Sequence, residues 1–327
     1  MTFSFDAYVT AAHFDRAGRA AFALGDGTVR FESGESVQAH AGAALSACLP
    51  PVGEGLLTGG DDGRVVLSTP SGVQQLVSLP GKWIESVAAS PESKLIAFAA
   101  GRELHVRDLG DPTFARVFTH EKSAADIAFD PKGRRLAVAT YGGVWLWYAR
   151  IADQKPVILK WAGSHVTACW SPDGKFLVSG MQENQLHGWR VADEKNMRMG
   201  GYPSKVRSLA FMSKGAVMAT SGANGAVCWP FAGATGPMGK QAAEIGYDDT
   251  ATTTRVAARL DNTWLAAGLD DGRVWAADVT GEKLVPIKAE KGAAISALAL
   301  SADATRVAWG DEDGNAGVAE IAESVTT

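Results

Sequence analysis

Six histidines, at positions 13, 40, 105, 120, 165 and 187, are the side chains best suited to hold a metal or carry a proton. Such chemistry needs them close together, as in HxxxH or HExxH on one helical face, and neither spacing occurs. Cys48, Cys169 and Cys228 are far apart, form no CxxC pair and fall inside expected strands. They read as buried free thiols of a reducing cytoplasm, not as zinc ligands or disulfide partners. Gly163-Ser164-His165 sets a serine beside a histidine, but in a loop between strands, whereas a nucleophile elbow needs strand, turn and helix. The Leu24-Gly25-Asp26-Gly27 turn precedes no helix whose N-terminus could meet a phosphate. The sequence therefore points to no catalytic residue, no cofactor site and no metal site.

The elements that would position any other site are short strands. Residues 123–149 carry an apolar run with Ile127 and Phe129, a turn at Asp130-Pro131-Lys132-Gly133, and a second run from Leu136 to Thr140. A Gly142-Gly143 reversal then leads to Val144-Trp145-Leu146-Trp147. Three β-rich runs divided by two turn signals predict an antiparallel meander. The unit recurs. Its first-strand end falls at Phe14, Leu49, Ala89, Phe129, Trp170, Phe211, Ala258 and Leu300, at intervals of 35 to 47 residues. Asp-Gly or Asn-Gly turns recur with it, at Asp26, Asp62, Asn224, Asp271 and Asp313. Fourth strands are expected in seven units, for example over 36–40, 113–120 and 195–202.

This order of parts resembles a WD40 repeat, a unit of about 40–45 residues. The resemblance spans the chain as a period and marks a divergent, bacterial-type member. It implies an all-β, eight-bladed propeller of four-stranded antiparallel blades, one domain over 1–327. Seven blades, the commoner number, is the alternative and would need longer units. The eighth unit lacks a fourth strand, so residues 2–5 are expected to pair there and close the ring. The family's ladder of His, Ser or Thr, Asp and Trp is patchy. Trp147 and Trp189 occupy the Trp slot, Pro230 stands there in unit six, and His40 with Thr58 and Asp62, or His120 with Thr140 and Trp147, build parts of it. The longest departure from the period, 232–239, reads as a solvated insertion on the bottom rim.

The resemblance also implies which residues face outward. The top face receives an acidic half, from Asp248, Asp249, Asp270, Asp271, Asp311, Glu312, Asp313, Asp26, Asp61 and Asp62. The other half is basic and aromatic, from Lys82, Trp83, Arg102, Lys122, Tyr141, Trp161, Tyr202, Lys205 and Arg207. Aromatic rings beside Arg and Lys are the stuff of binding hot spots. At the channel mouth stand Glu85, Asp126 and Arg255, with Arg207.

A net charge of −5 without a basic run argues against nucleic acid or an anionic membrane as partner. Neither a signal peptide nor a membrane-spanning segment is expected. The expected function is a monomeric, non-enzymatic scaffold whose top-face loops hold a protein or peptide. The alternatives are a propeller hydrolase or lactonase, or a small-molecule or ion sensor, acting at the central channel.

Overall fold

In the computed structural model, which describes residues 1–322, every repeated run becomes a β-strand and no α-helix interrupts them. Each unit folds as expected from its turns. In unit one, Val9–Phe14, Ala20–Leu24, Thr28–Phe31 and Ser36–Gln38 pair in order as an antiparallel meander. Gly27 takes φ +80° in the tight turn between its second and third strands, and its missing Cβ leaves room for the His40 and Gly42 carbonyls. Most inner strands touch their neighbours in sequence, and the last, Ile295–Leu300, touches the first, Val9–Phe14. The sheets thus stand around an axis as the blades of a propeller.

The strands form seven hydrogen-bonded sheets, which corrects the expectation of eight four-stranded ones. Six sheets have four strands; the seventh has six and joins units four and five. Two 14-residue strands, Arg135–Tyr148 and Val157–Trp170, make the join. The first doubles back at Gly142 and Gly143 (φ +91° and +148°), so that Ala149 N–H meets the Arg134 carbonyl at 2.8 Å. The second pairs with unit four at Val157 to Lys160 and with unit five from His165 to Trp170. Between them Tyr141 pairs with Ser164, and Gly163 (φ +121°) lets the strand bend without stopping. Gly163-Ser164-His165 is therefore continuous strand and not the loop expected. The ring therefore has seven blades and not the eight expected, because one unit does not always make one separate sheet.

The core is divided among the sheet interfaces. Second strands such as Ala20–Leu24 and Leu95–Ala100 are buried along their whole length, because sheets cover them on both faces. Close approach needs small residues there. A Cβ on Gly310 would lie 2.5 Å from Val9, and one on Gly268 would lie 2.4 Å from Ile295, each in the next unit.

The N-terminal closure is present. Thr2–Ser4 pairs with Asn315–Glu320, through Thr2↔Gly317, Phe3↔Ala316 and Ser4↔Asn315. Phe3 and Phe5 stack 5.8 Å apart, and both lie against Phe22 of unit one at 5.8 and 5.9 Å. The insertion at 232–239 is only partly solvated: Gly236 and Pro237 are buried, and a Cβ on Gly236 would lie 2.9 Å from the Phe176 ring. All three cysteines are free, and burial pushes their thiols up to about 12.

Candidate functional site

Most of the chemistry-bearing side chains hold the sheets together. In unit two, Thr58 donates its hydroxyl to His40 Nε2 at 2.8 Å, and His40 Nδ1–H donates to Asp62 at 3.0 Å. Burial raises the Asp62 carboxyl. The Ala41 and Arg64 N–H groups, the Arg64 guanidinium and His40 outweigh it and hold the carboxyl well below the usual range. In unit four, Trp147 Nε1–H donates to His120 Nε2 at 2.9 Å, and His120 Nδ1–H donates to the Arg102 carbonyl at 3.0 Å. In unit five, Ser179 donates to His165 Nδ1 at 2.8 Å.

Unit six builds the same device from different residues. Trp229 Nε1–H donates to the Tyr202 hydroxyl at 2.7 Å. Tyr202 in turn bonds Thr220 at 2.7 Å, and Thr220 donates to the Val227 carbonyl at 3.1 Å. The ladder Trp is thus Trp229, one residue before Pro230. Tyr202 stands where other units place histidine. It is buried, which pushes its phenol up to about 12, and is not the exposed top-face residue expected. Tyr202→Phe is expected to cost about 2 kcal/mol in chemical denaturation, because it strands the Trp229 N–H and the Thr220 hydroxyl.

Trp161 is also internal in part. Its ring stacks on buried His187 at 3.8 Å, plugging the gap in unit five. Burial pushes His187 down to about 4, and neither ring nitrogen has a partner among the described residues.

Around the axis, side chains of several inner strands stitch one unit to the next. Ser46 Oγ accepts the Val87 N–H at 3.0 Å, Ser208 Oγ accepts the Val256 N–H at 2.8 Å, and Ser296 donates to the Val9 carbonyl at 2.6 Å. Asp126 occupies this belt in unit four. It accepts Ser86 Oγ–H at 2.9 Å from unit three, and Thr167 Oγ1–H at 2.9 Å with the Ala168 N–H at 3.0 Å from unit five. Burial pushes its carboxyl up, and those three donors oppose the rise. The sequence placed Asp126 at the axis but not its bridging of three units. Glu85 is exposed beside it without a side-chain partner among the described residues. Among the described residues no group of three or more His, Cys, Asp or Glu is arranged to hold a metal.

The top-face acids mostly close their own turns. Asp311 is buried and binds the Asn315 amide, while Asp248 and Asp271 pair with Arg273 at 2.6 and 2.8 Å. The basic-aromatic half divides in two. Lys82, Trp83, Arg102 and Lys122 lie exposed on loops of units three and four, and Tyr141 is exposed in a strand of unit four. Trp83 is 62% and Tyr141 64% exposed, and none of the five side chains has a hydrogen-bond, ion-pair or ring partner among the described residues. Lys205 and Arg207 lie away from them, in a cavity with Arg255.

Residues 158–190 match the family model described as WD domain, G-beta repeat. The chain is similar in structure to the computationally designed Ika8 protein, with TM-score 0.78 and 18% identity over 97% of this chain and 98% of that one. It is also similar to a chain in the crystal structure of the Mitotic Checkpoint Complex, with TM-score 0.65 and 16% identity over 99% of this chain and 94% of that one. At these identities the two likenesses bear on the fold. Among the described residues no helix is long and apolar enough to cross a membrane.

Proposed function

We propose that this propeller, whose residues 158–190 match the WD domain, G-beta repeat model, is a WD40-type non-enzymatic scaffold gripping a protein or peptide with the rim of units three and four. One observation carries this reading: Trp83 and Tyr141 stand exposed beside Lys82, Arg102 and Lys122, none of them used internally. Trp147 and Trp229, by contrast, are committed inside their sheets, where they donate to His120 and Tyr202. Rigid aromatic rings beside unpaired cations suit a partner with apolar and acidic side chains. That the fold is also met within a multiprotein checkpoint complex supports the same class of role. The partner is a protein, not nucleic acid or a membrane, and the free thiols suit a cytoplasmic monomer.

Affinity capture from cells of origin, comparing the native chain with a Trp83→Ala/Tyr141→Ala variant, tests the assignment. Both side chains are mostly exposed, so the thermal midpoint is expected to stay within about 2 °C of the native value. Capture of the partner is expected to fall by about tenfold or more. Undiminished capture rejects the rim.

A further inference from the structure

A cavity of about 290 Å³ opens at the top of the channel between units six, seven and eight. Lys205, Arg207 and Arg255 line it together with Thr253, Asp270 and Glu312. The three cations make no ion pair with any described residue. By contrast, Arg19, Arg135 and Arg273 each meet a carboxylate at 2.6 to 3.1 Å. The only partner of the Arg255 guanidinium among the described residues is the Thr254 carbonyl, at 3.0 Å.

The local charge is unbalanced. Burial pushes the Arg255 guanidinium down to about 10, the Arg207 charge adds to this, and Glu312 opposes it. Lys205 is lowered for the same two reasons, burial first and then Arg207. Of the two acids, Asp270 already accepts the Thr252 N–H at 2.9 Å, and Glu312 is exposed. The Thr253 hydroxyl is buried, with Thr253 only 1% exposed, and has no partner among the described residues. A half-buried guanidinium is unfavourable unless something meets it.

We propose that this cavity binds a small anion with two or more charged oxygens, a phosphate ester, pyrophosphate or polycarboxylate. Arg207 and Arg255 present planar forks that match such oxygens two at a time. Lys205 adds a point charge. The volume lies at the lower end of small-ligand pockets and takes a molecule, not a folded partner. The site goes beyond the scaffold reading and lies in a different sector from Trp83 and Tyr141.

Thermal unfolding of the purified full-length chain in pyrophosphate, citrate or sodium chloride at matched ionic strength tests it without any partner protein. Its failure therefore leaves the rim assignment standing, and the reverse holds too. Pyrophosphate or citrate is expected to raise the midpoint by about 2–4 °C more than sodium chloride does. Pyrophosphate alone identifies a phosphoryl ligand, citrate alone a carboxylate, and both together the shared oxyanion chemistry. Arg255→Met is expected to lose the rise while unfolding at no lower temperature than the native chain without anion, since it removes an unpaired charge. Arg207→Gln, at an exposed position, is expected to lose most of the rise as well and does not depend on the tolerance of position 255. No rise beyond sodium chloride, or a full rise in both variants, overturns the proposal.

Discussion

Deleting residues 1–5 is expected to destabilise the chain by about 5 kcal/mol, a large part of the 5–15 kcal/mol by which a folded domain is stable. The segment donates and accepts along Asn315–Glu320, and its ends are tied by Phe5 N–H to the Gly314 carbonyl at 2.9 Å and Val318 N–H to the Met1 carbonyl at 2.9 Å. Each such bond contributes about 1 kcal/mol net. The half-buried Phe3 and Phe5 rings add about 1–2 kcal/mol each by covering Phe22, Ala316 and Val318. Loss of the strand also exposes the edge of the last sheet to pairing with other chains. Chemical denaturation and light scattering measure the two consequences: an earlier midpoint, and concentration-dependent association. A deletion variant as stable and as monomeric as the native chain would show that the ring does not need its closing strand.

Asp126→Ala is expected to cost about 3 kcal/mol, because it leaves the Ser86 and Thr167 hydroxyls and the Ala168 N–H without their shared acceptor. Asp126→Asn keeps an acceptor oxygen and is expected to cost about 1 kcal/mol. The pH dependence separates charge from shape. The folded chain binds the Asp126 proton more tightly than the unfolded chain, because burial raises its carboxyl. Stability contributed by this group is therefore greatest below the ordinary aspartate value and declines as pH rises through the window up to the raised one. Asp126→Asn removes that decline, which urea unfolding across the acidic range would record. An identical pH profile in the two proteins would show that Asp126 titrates as an ordinary surface carboxylate.

The parts legible in the sequence were those with a local signal. Asp-Gly and Asn-Gly pairs marked the hairpins, the period marked the units, and Phe3 and Phe5 marked a strand with nowhere else to go. What was not legible depended on contacts between units. Fusion of units four and five rests on Tyr141 meeting Ser164, and counting repeats does not reveal whether two neighbouring sheets share hydrogen bonds. By residue type Tyr202 resembles a surface aromatic and not an occupant of the histidine slot. Its position at the end of an outer strand, like that of His40 and His120, was the signal that it belongs to the ladder. A register carried from the first strand points to Pro230, one residue past Trp229, because it does not follow changes in turn length. Arg255 is far from Lys205 and Arg207 in the sequence, and only the folded ring places the three cations around a single cavity.

Site-specific photo-crosslinking inside cells tests the scaffold assignment most directly, with the reactive group placed in turn at Trp83, Tyr141 and Tyr148. Tyr141 and Tyr148 belong to one strand and are both exposed, but stand at opposite ends of the sheet. The account predicts one adduct, of the same mass and the same captured protein, from positions 83 and 141 and none from 148. Adducts from 148 alone, equally from all three positions, or from none of them would contradict it.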